Sequence, residues 1–293
     1  MERITPILIE HFDAEPTVTM CAQAVDALEA GSILLLPYLS FKLLAEETQF
    51  LTAQAVEPKR KNVSYDWRLQ KTKGDSYIGE LHQKLQQLLA RYANQANILV
   101  NSLFPHYTKS IQLARTSYRP VEAFDRTNLS NRKDDRLLHT DAFPASPTQG
   151  WRILRVFSNI NLNREPRVWR VGENFEKVAA RFLPHLKTKN SLVRHLLNSV
   201  NITRGLQTNY DAAMLQLHDL MKKDQAYQDD PLNQMIELPA ETTWLVFTDQ
   251  VPHAVISGQF CLEQTFYLPV QAMTYPERSP LKILERLMNK PLV

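Results

Sequence analysis

Two side chains able to ligate a metal stand two residues apart in the run Arg136-Leu137-Leu138-His139-Thr140-Asp141. In extended backbone side chains alternate, so His139 and Asp141 project from one face. A neutral imidazole and a carboxylate placed this way hold two positions of an iron(II) ion. One more histidine completes a facial triad and leaves three positions open for a cosubstrate and oxygen. His253 fits that part. The stretch from Leu238 to Gly258 reads as proline turn, strand, tight turn, strand and glycine turn, which sets His253 at the start of a strand. A His-x-Asp triplet is weak by itself, expected by chance about 0.4 times in a chain of this composition. A second one, His11-Phe12-Asp13, precedes a helix with no strand signal beside it and reads as a surface pair. His82, His106, His185, His195 and His218 lie in helical or loop context and read mostly as surface groups.

Such a triad points to an oxygenase that uses iron(II), 2-oxoglutarate and O2. The distal carboxylate of that cosubstrate needs a cation, and a guanidinium binding in two-pronged fashion suits it best. In many oxygenases of this kind the cation follows the distal histidine on the last barrel strand. Here the corresponding stretch, Phe260 to Leu268, has neither Arg nor Lys, and Gln264 is its polar candidate. The cation is therefore sought in Gly150-Trp-Arg-Ile-Leu-Arg-Val-Phe-Ser-Asn, just after the His-x-Asp run. The odd spacing of Arg152 and Arg155 puts them on opposite strand faces, so one is expected to point inward. Arg155 shares its face with Phe157, Asn159 and Asn161, and Arg152 with Leu154 and Val156. A mid-strand arginine among aliphatic residues is costly unless paired, which favours Arg155 as the buried one. Arg152 matches more closely, by spacing, the basic residue of the protein-hydroxylating subset. Both stay candidates, with Asn159 beside Arg155.

The elements that must position these groups follow from hydrophobic period and breakers. Glycine is scarce (seven) and proline plentiful (17) in the 293 residues. Residues 17–30 read as a helix ended by Gly31, and Ser32 to Pro37 as a short strand. Residues 55–75, polar and basic, read as a surface loop. Residues 78–97 place Ile78, Leu81, Leu85, Leu88 and Leu89 on one helical stripe. From about 111 the chain changes to short β-branched and aromatic runs, interrupted over roughly 173–228 by a helical stretch. The expected fold is mainly β with flanking helices: a double-stranded β-helix (jelly roll, cupin-like) with N-terminal helices and a helical insertion. It is expected as one oxygenase domain over 1–293. Residues 1–110 give mainly helical support, 111–273 the jelly-roll core, and 274–293 a C-terminal helix.

Composition excludes several classes. With 34 basic and 31 acidic residues the formal charge is +3, no nucleic-acid footprint, though clustered basic groups would suit an anionic substrate. Two distant cysteines, Cys21 and Cys261, suggest no disulfide framework and a reduced, cytoplasmic setting. The first residues do not read as a secretion signal. The longest apolar run, Ile33-Leu-Leu-Leu36, is far below the roughly 18 residues a spanning helix needs.

The run RKDDRLLHTDAFPASPTQGWRILRVFSNIN, with PRVWRVGE, YDAAMLQLHDLMKKDQAYQ and TWLVFTDQVPHAVISGQFCLEQTFYLP, resembles the 3-deoxy-D-manno-oct-2-ulosonic acid (Kdo) hydroxylases over residues 110–273. These are oxygenases of Gram-negative bacteria that modify the inner core of lipopolysaccharide. The resemblance implies hydroxylation of Kdo at C3 to give D-glycero-D-talo-oct-2-ulosonic acid (Ko), with the iron ligands falling on His139, Asp141 and His253. The substrate would be a Kdo-containing lipid A precursor, anionic through carboxylate and phosphates. Candidate contacts are Arg115, Tyr118, Arg119, Arg132, Lys133, Arg167 and Arg170, with Tyr210 and His218 of the helical insertion as a roof. A lipid-linked substrate suggests peripheral contact with the inner membrane. The basic amphipathic segment SPLKILERLMNKPLV is the candidate for it, against the alternative that this helix packs on the barrel. Other readings are a 2-oxoglutarate-dependent hydroxylase of protein or other small substrates, a cupin isomerase or lyase, and a metal-free sugar-binding jelly roll.

Overall fold

Strand β6 (Arg152–Asn159) has every residue buried, so both of its faces are covered. The structure is a computed structural model and describes residues 3–58, 60–125, 129–187 and 206–293. In it β6 lies inside an eight-stranded sheet. Across the sheet run β1 (Ile4–Pro6), β2 (Ile33–Leu36), β9 (Thr243–Phe247), β6, β11 (Cys261–Leu268), β5 (Gln112–Arg119), β3 (Val63–Asp66) and β4 (Lys71–Lys73). Pairing is antiparallel except for β1 with β2. A three-stranded sheet, β10 (His253–Ser257), β7 (Arg167–Val171) and β8 (Gln234–Leu238), faces it. Two sheets closing over a shared interior form the jelly roll expected from the short alternating runs.

Side-chain alternation sorts the large sheet into two cores. Leu154, Val156, Leu245, Phe247, Leu262 and Phe266 pack against helices α1 (Val18–Glu29) and α2 (Gly79–Leu103). Phe157, Trp244 and Val246 face the small sheet and meet Trp169, Val171 and Ile236. There Phe157 stacks on Trp244 with ring centroids 5.2 Å apart, and Trp169 stands edge-on to both. Rings in offset and edge-to-face contact resist sliding, so this cluster sets the distance between the sheets.

The N-terminal half is less helical than its sequence suggests. β1 was not anticipated, and the segment read as a loop over 55–75 carries the β3–β4 hairpin, which extends the large sheet at its edge. Val63 and Tyr65 are buried and Ser64 half-buried, an alternation too short to stand out among the charges. Helix α2 runs to Leu103, and its buried stripe starts at Leu85. Ile78, which caps the helix, and Leu81 in its first turn are exposed and take no part in the buried stripe. Arg136–Asp141 does not form a full strand. Only His139 pairs, opposite His253. Strand β7 lies in a run not read as a strand from its period, because Arg167 and Arg170 interrupt the apolar pattern.

The insertion contains α3 (Phe175–Phe182), α4 (Asn209–Lys223) and α5 (Gln225–Gln228). Its middle, including His195, falls outside the described residues. α4 starts in a capping box between Thr208 and Asp211. The Asp211 carboxylate also accepts from Thr148 N–H (2.8 Å) and Gln149 N–H (3.0 Å), tying α4 to the loop that follows Asp141. Helix α6 (Pro280–Met288) buries Leu281, Ile283 and Leu284 in the protein core, with Leu287 and Met288 half-buried beside it. Its apolar stripe is thus used in packing, the alternative to the membrane-binding reading of this segment. No helix among the described residues is long and apolar enough to cross a membrane.

One turn constrains the site from outside. Gly258, between β10 and β11, has φ +115°, and a Cβ there would lie 2.8 Å from the Arg167 Cα. Its N–H donates to Glu122 Oε1 at 2.6 Å and its carbonyl accepts from Arg167 Nη1 at 3.0 Å. Gly258→Ala is expected to lower stability by about 1–3 kcal/mol through strain at this turn, read as a fall in Tm. An unchanged Tm would mean the turn relaxes freely.

Candidate metal centre

His139 sits just outside strand order, yet it is held by the strand start opposite it. The His139 N–H donates to the His253 carbonyl at 3.1 Å and the His253 N–H to the His139 carbonyl at 2.9 Å. Two residues on, the Asp141 N–H donates to the Thr248 carbonyl at 2.8 Å. These bonds bring together two pieces of chain that are far apart in sequence. All three side chains are buried, and one potential ligand atom from each lies within 4.8 Å of the others.

The hydrogen bonds decide which imidazole nitrogens are available. His139 Nδ1 lies 2.7 Å from the Leu137 carbonyl, and His253 Nδ1 lies 2.9 Å from the Val251 carbonyl. A carbonyl only accepts, so Nδ1 carries the proton on both rings and each Nε2 keeps its lone pair for a cation. Burial, then the other nearby cationic groups, hold the His139 imidazole well below its ordinary pKa, and burial likewise lowers His253. Both are neutral at neutral pH, as ligands must be. Burial pushes the Asp141 carboxyl up, but the Arg155 guanidinium above all outweighs it, so Asp141 stays ionised. Two neutral nitrogens and one carboxylate facing a common point fit iron(II) with positions left open.

Around the triad is a cavity of 470 Å³ with cationic walls, including Lys61, Arg119, Arg132, Arg155, Arg167 and Lys222. Trp169 stacks on His253 (centroids 5.0 Å) and His218 stands edge-on to His139 (5.2 Å). Arg155 Nη2 lies 2.8 Å from Asp141 Oδ2, and its Nη1 lies 2.5 Å from Glu263 Oε1. Glu263 in turn receives Arg119 through Nε (2.9 Å) and Nη2 (2.6 Å). Burial raises the Glu263 carboxyl, and the two guanidiniums more than reverse that. A second cavity of 660 Å³, lined by Arg115, Trp67 and Arg68, adjoins the first across Arg119 and Arg155.

The model of the 3-deoxy-D-manno-oct-2-ulosonic acid (Kdo) hydroxylase family matches residues 11–291. The chain belongs to the Kdo hydroxylase family. It is similar to the Kdo hydroxylase KdoO, a non-haem Fe(II) α-ketoglutarate-dependent dioxygenase solved with α-ketoglutarate and Fe(III). Identity is 47%, coverage is 100% of this chain and 98% of that one, and the TM-score is 0.96. The KdoO structure with cobalt(II) matches at 47% identity over the same shares, with a TM-score of 0.97. No curated protein matches the chain.

In this hydroxylase, strand alternation separates the cosubstrate and substrate candidates. Arg155, Arg119, Arg167 and His218 line the triad cavity, and Arg115 lines the adjoining one. Arg152 is not brought to the site. It points from the other face of β6 and is fully buried, with Nε 2.7 Å from Asp249 Oδ2, Nη2 2.6 Å from Gln250 Oε1, and its guanidinium over the Phe247 ring. Of the two arginines only Arg155 points into the site, but the expectation that it alone would be buried is corrected: β6 is covered on both faces, and Asp249 pairs the Arg152 charge. Gln264 and Tyr118 also face the helices: Thr116 Oγ1 lies 2.6 Å from Gln264 Oε1, and the Tyr118 hydroxyl donates to the Phe50 carbonyl at 2.7 Å. Asn159 is spent at the strand end on the Glu165 and Leu238 carbonyls. Arg170 donates to Gln228 Oε1 at 2.9 Å and does not line the cavity. Tyr210 is buried beneath Asp141 instead of roofing the cavity. Arg132 and Lys133 reach its rim. His218, read mostly as a surface group, is buried in the wall.

Sequence reading missed Glu263 and Lys222. A signal existed for each. A buried arginine demands a carboxylate, and Glu263 is the acid in the last strand. Lys222 follows His218 by four residues, so the two share a helix face.

Proposed function

We propose that this oxygenase hydroxylates C3 of Kdo in a Kdo-containing lipid A precursor, giving Ko, with iron(II), 2-oxoglutarate and O2. The observation that carries the reading is a ligand-competent His139–Asp141–His253 triad at the base of a cation-walled cavity, in a chain that matches the Kdo hydroxylase family from residue 11 to 291. His139 and His253 would bind the metal through Nε2, and Asp141 through one carboxylate oxygen. Iron(II) with 2-oxoglutarate and O2 supplies the oxidising equivalent, leaving succinate and CO2 as co-products.

The protein's own part is placement and charge. Arg155 is suited to the distal carboxylate of 2-oxoglutarate. It stands beside Asp141, and its buried Nε–H has no hydrogen-bond partner among the described residues. A buried, unmatched donor on a guanidinium favours an incoming anion. Phe157 and Trp169 exclude water from the inner wall, and the cations attract a sugar acid bearing carboxylate and phosphates. Acting on a membrane-anchored acceptor would place the enzyme at the cytoplasmic face of the inner membrane. That contact is proposed from the substrate alone, since the α6 stripe is buried.

The test has two parts. Under anaerobic conditions iron(II) and 2-oxoglutarate should give a weak visible charge-transfer band that neither gives alone. With O2 added, Kdo-lipid A should gain the mass of one oxygen atom, with one succinate formed per product. Turnover of peptides with none of Kdo-lipid A would overturn the sugar reading.

A further inference from the structure

Cations are plentiful around the triad, and most already hold a carboxylate. Lys61 Nζ lies 3.0 Å from Asp135 Oδ1, and Arg132 Nη2 lies 3.2 Å from Asp219 Oδ2. Arg119 is bound to Glu263, and Arg155 to both Asp141 and Glu263. Lys222 differs. It is 5% exposed, and its Nζ donates to the Arg132 carbonyl at 3.1 Å, with no carboxylate in ion-pair contact among the described residues. An ammonium carries three donors, and burying one beside a single neutral acceptor is unfavourable. Burial accordingly pushes its pKa down to about 8, against the pull of the more distant Asp135 and Asp141. A charge held in this way is poised for an anion.

Its position narrows which anion. Lys222 and His218 are one helical turn apart on α4, and both line the triad cavity. The His218 ring stands edge-on to His139, so this face of α4 looks directly onto the metal centre. In Kdo the carboxylate is C1, attached to C2, and C3 is the next carbon. The acid group is two bonds from the carbon to be hydroxylated, so the cation that holds it must lie close to the metal. Phosphates of a lipid-linked substrate are remote from C3 and suit the rim or the adjoining cavity.

We propose that Lys222, with His218 one turn before it, binds the C1 carboxylate of the sugar acid and so presents C3 to the triad. This rests on the Kdo reading above. The shared chemistry, a carboxylate, would also allow 2-oxoglutarate at Lys222, and the two sources give opposite kinetic signatures.

The experiment compares wild type with Lys222→Met and Lys222→Arg, using Kdo-lipid A and its C1 methyl ester. Losing a charged hydrogen bond should raise KM for Kdo-lipid A roughly 10- to 100-fold in Lys222→Met. The KM for 2-oxoglutarate and the anaerobic visible band should stay as in wild type, and Lys222→Arg should recover part of the loss. Esterification should weaken wild type by a similar factor and add little to Lys222→Met, since the two changes remove one contact. The ester on wild type needs no folded variant. An active wild type whose KM for Kdo-lipid A survives Lys222→Met, or whose ester is used as well as the acid, overturns the assignment. A rise confined to the KM for 2-oxoglutarate gives Lys222 to the cosubstrate and also overturns it. Wild type inactive on Kdo-lipid A would remove the substrate reading itself.

Discussion

His139→Ala and Asp141→Ala are each expected to lose hydroxylation and the visible 2-oxoglutarate band together. The loss should exceed about 100-fold, because even outer partners of metal ligands cost 10- to 100-fold in affinity or activity when removed. The two variants should differ in stability. His139→Ala removes an imidazole whose Nδ1 served one carbonyl. Asp141→Ala also strips Arg155 of a carboxylate 2.8 Å away, leaving the guanidinium to Glu263 alone. Asp141→Ala should therefore melt lower than His139→Ala. Metal content, the anaerobic spectrum and thermal melting check this in one set of samples. A variant that keeps the band while losing only turnover would mean that its residue is not a ligand.

Arg152→Ala is the change with the largest expected effect on the fold itself. The guanidinium is fully buried against Asp249, Gln250 and the Phe247 ring. Asp249 is also buried and accepts from the Ile153 N–H at 3.2 Å. Removing one partner of such a pair leaves an uncompensated charge, at about 3–5 kcal/mol. Denaturant unfolding should show that loss. Since Arg152 lies on the face of β6 away from the triad, the surviving folded enzyme should keep its KM for 2-oxoglutarate. Adding Asp249→Ala should cost less than the sum of the two single changes, because the orphaned carboxylate is then gone. If Arg152→Ala instead raised the KM for 2-oxoglutarate with stability intact, the structural assignment of this residue would fall. Arg155→Ala should show the contrasting pattern, with cosubstrate binding weakened.

These two arginines mark where sequence reading stops. Their opposite faces follow from period-two alternation, and Arg155 with Phe157 on one side and Arg152 with Leu154 on the other are as the strand requires. Alternation cannot say that both faces are covered. That depends on α1, α2 and the small sheet, which arrive from distant parts of the chain. The same parity would have cautioned against choosing Tyr118 along with Arg119, or Gln264 over Glu263. Adjacent residues in a strand face opposite ways, and in each pair only the odd-numbered one looks onto the site.

Loop and strand edges were harder to read. The β3–β4 hairpin is made of short, charged segments whose pairing is worth forming only because β5 offers an edge. Likewise the His139 backbone is ordered by a single bridge to His253, a contact between residues more than a hundred positions apart that local propensity does not encode.

By itself the sequence determined the chemistry available to this protein. His139, Asp141 and His253 are identifiable because a facial triad needs particular side chains at particular strand positions, and the jelly-roll expectation follows from short alternating runs between breakers. Tertiary structure alone decided the electrostatics of the site. Asp141, Arg155, Glu263 and Arg119 form one chain of paired charges, while Lys222 faces the cavity with no carboxylate in ion-pair contact among the described residues. Charge pairing depends on distances of a few ångströms between separate strands and helices, and only packing sets those distances.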